Sequence, residues 1–177
     1  MGHREHRLAA PSGIPCAVVT ASDTRTPATD TSGAAIRALL ERRGHRVVDY
    51  RVLPDDPRRI ATHLRRLARA GRTRVVLVTG GTGIAPRDTT YEAIERLLEK
   101  RLPGFGEIFR LLSYRRIGAA AILSRAVAGT CGGMIVFSMP GSEAAVRLAM
   151  TRLILPEIGH AAGLLETRRP RRRGVRP

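Results

Sequence analysis

The feature that most constrains this chain is its alternation of short strand-like apolar runs with helix-period stretches. Each run stops at a turn rich in glycine, proline or aspartate. CAVVTA (16–21), RVVDYRVL (46–53) and TRVVLVT (73–79) are the strand-like runs. The third is apolar throughout its centre, as a strand covered on both faces must be. Between the first two, Ile36, Leu39 and Leu40 share one face of a helix over 33–43, with Gly44 as its natural stop. After the second, Asp56 reads as an N-cap and Pro57 as the first residue of a helix running to Ala70, before Gly71. Ile60, Leu64, Leu67 and Ala68 supply its apolar stripe. Strands that alternate with helices in this way predict an α/β fold.

The second half continues the pattern. Thr89 and Glu92 have capping-box spacing and predict a helix ending near Lys100; a further helix covers 104–114. Gly132-Gly133 predicts a hairpin within 128–139. Ser142 then caps a helix over 143–154, with another helical turn after Pro156. The expected organisation is one domain over 12–165, a flexible N-terminus over 1–11 and a disordered Arg-rich tail over 166–177.

Composition narrows the function classes. A chain of 177 residues buries about two thirds of its unfolded surface and needs neither disulfides nor metal to fold. With no Trp and only Phe105, Phe109 and Phe137 beside three Tyr, the core must be aliphatic. Cys16 and Cys131 match no zinc or redox spacing, so buried thiols in a reducing compartment are expected. No run approaches the roughly 18 apolar residues of a membrane span, and residues 1–13 lack a signal-peptide core; a cytoplasmic protein is expected. The five histidines show no metal-ligand spacing, and His3, His6, His45, His63 and His160 are expected on the surface. Six Arg in RRPRRRGVRP (168–177) account for part of the +16 net charge. Such a tail attracts phosphate without sequence preference, but the scarcity of aromatic residues argues against a single-stranded nucleic acid. The positive charge on the rest of the chain favours an anionic small molecule.

The segment VLVTGGTGIAPRD (76–88) carries most of the chemistry. A strand that stops in glycines before a helix leaves backbone N–H groups uncovered, a standard means of holding phosphate. Permissive glycines also make an ordinary tight turn, and both readings are open at this point. The loop is not a Walker A motif, because the sole lysine is Lys100, and Pro86 stands where a dinucleotide fingerprint needs its third glycine. Asp88 can complement the helix dipole. However, a phosphate and a carboxylate at one helix end repel unless a cation lies between them, and Mg²⁺ accepts one or two carboxylates plus phosphate oxygens. In PDDP (54–57) Asp56 is explained as a cap, whereas Asp55 has no structural explanation in the sequence. Asp55 and Asp88 both follow strand ends, the edge where open α/β sheets bind ligands. Ser22, Asp23 and Thr24 follow the first strand to that edge, although Ser and Asp are also common turn residues. MPGS (139–142) is a second apolar run broken before a capped helix, and Ser124-Arg125 could add a cation.

VLVTGGTGIAPRD, GFGEIFRLLSYRRIG, LSRAVAG and MPGS, with TASDTR and DTSG nearer the start, together resemble the MoaB/MogA family of molybdenum-cofactor biosynthesis proteins over 15–165. The resemblance implies a three-layer α/β/α fold with a mostly parallel mixed sheet, a single molybdopterin-binding-type domain, assembled as a trimer or hexamer. It implies a molybdopterin adenylyltransferase: AMP passes from Mg-ATP to the phosphate of molybdopterin and pyrophosphate is released. The product then goes to another molybdenum-cofactor enzyme for molybdate or tungstate insertion. By motif matching, Gly80, Gly81, Thr82 and Gly83, with Pro140, Gly141 and Ser142, hold phosphate and nucleotide. Asp55 and Asp88 are the catalytic acids and Mg²⁺ holders, and Ser22, Asp23, Ser124 and Arg125 line the pterin site. Such chemistry needs alignment and charge relief rather than a general base. The alternative on the same fold is a carrier that binds molybdopterin without turnover.

Overall fold

The computed structural model describes residues 13–166; the expectations for 1–11, for His3 and His6 and for the tail beyond Glu166 lie outside them. Six strands form one mixed sheet: β1 (Pro15–Ala21), β2 (Arg46–Leu53), β3 (Val75–Thr79), β4 (Lys100–Arg101), β5 (Val127–Cys131) and β6 (Met134–Met139), in the order β2-β1-β3-β6-β5-β4. The pairs β1/β2, β1/β3 and β3/β6 are parallel; β5/β6 and β4/β5 are antiparallel.

Helices cover both faces because the strand residues alternate between two cores. Cys16, Val18, Val75, Leu77, Ile135 and Phe137 face α1 (Thr31–Arg42), α4 (Pro103–Ile117), α5 (Glu143–Ala149) and α6 (Leu155–Glu166). Ala17, Val19, Val76, Val78 and Val136 face α2 (Pro57–Ala70) and α3 (Thr90–Glu95). Ile36 and Phe109 on one side and Leu64 and Ile94 on the other are fully buried, each contributing about 1.5–3 kcal/mol of transfer free energy. Cys16 and Cys131 are buried free thiols, and burial pushes Cys16 up to about 12, far from a reactive thiolate. Among the described residues no helix is long and apolar enough to cross a membrane.

Local signals place several elements as expected. Asp56 accepts from the amides of Arg58 (2.8 Å) and Arg59 (2.9 Å), Pro57 opens α2, and Gly71 closes it at φ +66°. Gly132 and Gly133 (φ +55° and +76°) make the two-residue turn between β5 and β6. Three expectations need correction. The capping box at Thr89 and Glu92 does not form: Thr89 has helical ψ and makes no side-chain cap, because its hydroxyl donates to Asp55 and Glu92 pairs with Arg125. The same helix ends at Glu95, since Lys100 and Arg101 pair with Thr130 and Gly129 as an edge strand. The last helix does not break at Pro156. A π-helical turn over Met150–Ile154 absorbs the proline, which lacks an N–H and would collide with the preceding turn of a regular helix.

This topology positions the site. The β1 loop leads to α1 on one face and the β3 loop to α3 on the other, so a crevice opens outside the carboxyl ends of the parallel strands.

Candidate functional site

The glycine loop after β3 is the hub of this edge, and side-chain-free backbone is required there. Gly80 has φ +94°, and a Cβ on it would collide with the carbonyl oxygen of Ala21 at the end of β1. Its N–H donates to Met139 O (3.1 Å) at the end of β6. Gly141 packs so closely on Gly80 that a Cβ would lie 3.1 Å from Gly80 Cα. Three strand ends therefore meet within one van der Waals layer, which explains both glycine runs.

Two carboxylates approach the same loop. A Cβ on Gly81 would strike Asp55 Oδ2, and one on Gly83 would strike Asp88 Oδ2. Asp55 and Asp88 therefore border residues only two apart in the chain. Asp55 does have a structural task that the sequence did not reveal: Oδ1 accepts from Thr90 Oγ1 (2.8 Å), Thr89 Oγ1 (3.3 Å) and Thr89 N (3.3 Å). Its own N–H donates to Asp23 Oδ1 (3.1 Å). Neighbouring Asp56 is occupied by the α2 cap, and the Arg59 and Arg58 amides hold its carboxyl below the usual carboxylate range. Asp88 accepts from Ala85 N (3.1 Å) through Oδ2. Oδ2 of Asp55 and Oδ1 of Asp88 make no hydrogen bond among the described residues.

Arg125 holds the loop from the other side. Its Nε donates to Thr82 O (2.9 Å), one Nη to Gly83 O, and the other to Glu92, while the guanidinium lies over the Tyr91 ring at 4.6 Å. That pairing is the first cause holding the Glu92 carboxyl below its ordinary range. Every nitrogen of the fork is thus turned onto the loop and α3. Ser22 closes a turn, accepting from Arg25 N (3.1 Å) and Thr24 N (3.3 Å). Ser32 links α1 to the MPGS turn by donating to Gly141 O (2.8 Å), and Thr79 donates to Pro140 O (3.0 Å). Ser142 caps α5 through Ala145 N (3.3 Å), as its spacing predicted.

The candidate residues sort into two depressions. Gly83, Asp88, Arg125, Glu92 and Ile84 line a cleft of about 450 Å³. Ser124, Pro140 and Ser142, with Ser113, Ile117 and Leu148, line a smaller, more apolar cavity of about 110 Å³. Ser124 and Arg125, neighbours in sequence, thus serve different depressions. Gly80, Gly81, Thr82 and Gly141 form the backbone between them, with Ser22 and Asp23 on the loop from β1.

Sequence reasoning missed Tyr91 and Thr90, whose roles depend on partners more than thirty residues away; Glu92 was noticed for its spacing but given the wrong partner. It also missed Asp30, the buried cap of α1, which accepts from Thr20 Oγ1 (2.6 Å), Tyr50 OH (2.8 Å) and Gly33 N (2.9 Å). His63 is not a surface residue. Its side chain is 9 % exposed and bonds Asp49 of β2 at 2.8 Å. Among the described residues no three His, Cys, Asp or Glu converge on a metal position. The two unengaged carboxylate oxygens at the glycine loop suit Mg²⁺, which takes one or two carboxylates and completes its shell from phosphate and water.

Comparison with known proteins agrees with this architecture. A family model described as a probable molybdopterin binding domain matches residues 17–160. Molybdenum cofactor biosynthesis protein B of Halalkalibacterium halodurans is 54 % identical over 161 residues, covering 90 % of this chain and 95 % of that protein. A crystal structure of a molybdenum cofactor biosynthesis protein B superposes with a TM-score of 0.86 at 49 % identity, covering 89 % of this chain and 99 % of that one. The tungsten cofactor synthesizing protein MoaB from Pyrococcus furiosus follows at TM-score 0.77 and 38 % identity, covering 88 % of this chain and 99 % of that one. By sequence and by fold alike, the chain belongs to the MoaB/MogA family of molybdenum-cofactor biosynthesis proteins.

Proposed function

We propose that this protein is a cytoplasmic molybdopterin adenylyltransferase. A phosphate oxygen of molybdopterin attacks the α-phosphorus of ATP, the bond from that phosphorus to its bridging oxygen breaks, and pyrophosphate leaves with the bonding electron pair. The observation that carries this reading is the convergence of Asp55 and Asp88 on one glycine loop flanked by two depressions. Two anionic substrates need separate seats and a shared, charge-relieving rim. Bound Mg²⁺ supplies that relief. Asp55 and Asp88 would hold the ion through their unengaged oxygens, while the loop amides of Gly81, Thr82 and Gly83 orient phosphate; that of Gly80, expected from the sequence to join them, donates to Met139 O instead. Arg125 fixes the carbonyls of Thr82 and Gly83, which keeps that loop rigid rather than offering its own charge to the pterin. Asp55, not Asp56, fits the acid role, because Asp56 is spent on the α2 cap. Ser22 and Asp23, with Ser124, Pro140 and Ser142 at the smaller cavity, are the proposed pterin side.

The reading also includes a homo-oligomer. Ile108, Leu111, Tyr114 and Ile117 on α4, with Ile122 and Leu123 in the following 3₁₀ turn, are all exposed. A patch of that extent beside the smaller cavity suits contact with other copies of the chain, in a trimer or hexamer.

Pyrophosphate release from molybdopterin and Mg-ATP by the purified protein tests the reaction. Release that depends on both substrates supports it. Tight molybdopterin binding with no release above blank would replace it with the carrier reading.

A further inference from the structure

The cleft beside Asp88 does not end at α3. It shares Pro57, Ala93 and Arg96 with a second groove of about 540 Å³ that continues between α2 and the segment after α3. Arg58, Ala61, Thr62 and Arg65 line its α2 side, an i, i+3, i+4, i+7 set on one helical face. Arg58 and Arg65 stand two turns apart, about 10 Å along the axis. Arg96 faces them from beyond α3.

In a chain with this much arginine, three arginines in one groove mean little by themselves. What distinguishes this groove is the absence of acids. The cleft holding Arg46, Arg66 and Arg72 also holds Asp49, and the one holding Arg101 and Arg110 holds Glu95 and Glu107. No Asp or Glu lines the α2/α3 groove. Asp56, just before α2, is turned onto the amides of Arg58 and Arg59. Arg58, Arg65 and Arg96 have no carboxylate within ion-pair distance among the described residues. The remaining lining is proline, alanine, threonine and leucine, with no ring on which a nucleobase could stack. Three cations without a direct ion pair, in a groove that opens into the cleft at Asp88, suit a chain of phosphates rather than a single one.

We infer that the α2/α3 groove is a polyphosphate subsite: it holds the β- and γ-phosphates of the nucleotide and, after transfer, the pyrophosphate product. This deepens the adenylyltransferase reading and rests on it for the identity of the ligand. It also sets a direction for the nucleotide, with the transferred phosphorus at the glycine loop and the leaving group pointing along α2.

Titration calorimetry of the full chain with inorganic pyrophosphate and, separately, orthophosphate tests the subsite without turnover. Pyrophosphate is expected to bind more tightly than orthophosphate. The double variant Arg58→Gln/Arg65→Gln should weaken pyrophosphate by about tenfold or more, since it removes two of the three cations that line the groove. In the reaction assay the loss should fall on the KM for ATP rather than on kcat. Arg69→Gln, on the same helix but outside the groove, should change neither. Unchanged pyrophosphate affinity in a double variant of native melting temperature overturns the subsite, as does an equal loss in Arg69→Gln. Competition by a duplex oligonucleotide as effective as that by tripolyphosphate would also overturn it, marking a non-specific polyanion surface. If the wild type releases no pyrophosphate while the variant still loses pyrophosphate binding, the subsite stands and the reaction reading falls.

Discussion

The turns after β3 and β6 are built from the same pattern, an apolar strand broken by glycine before a helix, yet they end in different environments. After β6, Ser142 behaves as local chemistry dictates and caps α5. After β3, Thr89 forgoes its cap and donates to Asp55, Glu92 leaves its capping-box role for Arg125, and two glycines admit two carboxylates. The β6 turn faces hydroxyls, apolar walls and the single charge of Arg116; the β3 turn faces several fixed charges of both signs. The difference teaches that departure from local helix-capping rules marks where the fold has spent its side chains on a site.

That contrast can be broken or sharpened by substitution. The largest expected effect is Asp88→Asn, which should lower the turnover assay on the order of 10²-fold or more by removing transition-state charge relief. Its melting temperature should change little, because Asp88 Oδ2 accepts one backbone hydrogen bond, from Ala85 N on an exposed loop, and Asn can reproduce it. Gross unfolding with full activity per folded molecule would reduce Asp88 to a loop staple. Next is Gly80→Ala. The added methyl meets Ala21 O at positive φ, and urea denaturation should show a loss of about 2 kcal/mol or more. A near-neutral result would mean the three strand ends are less tightly joined than described.

Arg125→Lys keeps the charge and loses the fork that grips Thr82 O, Gly83 O and Glu92 together. Activity should fall about tenfold with a smaller loss of stability, since lysine cannot reproduce planar multidentate contacts. Full activity in the lysine variant would mean that charge alone matters there. The smallest effect is Ser142→Ala, expected to cost about 1 kcal/mol in chemical denaturation, the ordinary loss of an N-cap. Turnover should fall only modestly, because Ser142 borders the proposed pterin cavity with a hydroxyl already committed to Ala145 N; a fall far beyond that would make the β6 turn as functional as its counterpart.

How legible the protein was in its sequence follows the same divide. The Asp56-Pro57 start and Gly71 stop of α2, and the Gly132-Gly133 hairpin, depend on neighbouring residues and local backbone geometry, so they could be read directly. The β-branched runs could be read because strands buried on both faces are apolar at consecutive positions. Asp55 and Asp88 could be nominated from their places after strand ends.

Tertiary structure alone decided the rest. The purpose of Asp55's hydrogen bonds, the recruitment of Tyr91 and Glu92 by Arg125, and the division of Ser124 from Arg125 all depend on partners distant in the chain. So does the passage of the last helix through Pro156, where continued burial of Ile154, Leu155 and Ile158 accompanies the π turn. Periodicity and capping are short-range properties written within one or two turns of a helix, whereas charge pairing across loops is settled only when the sheet brings its strand ends together.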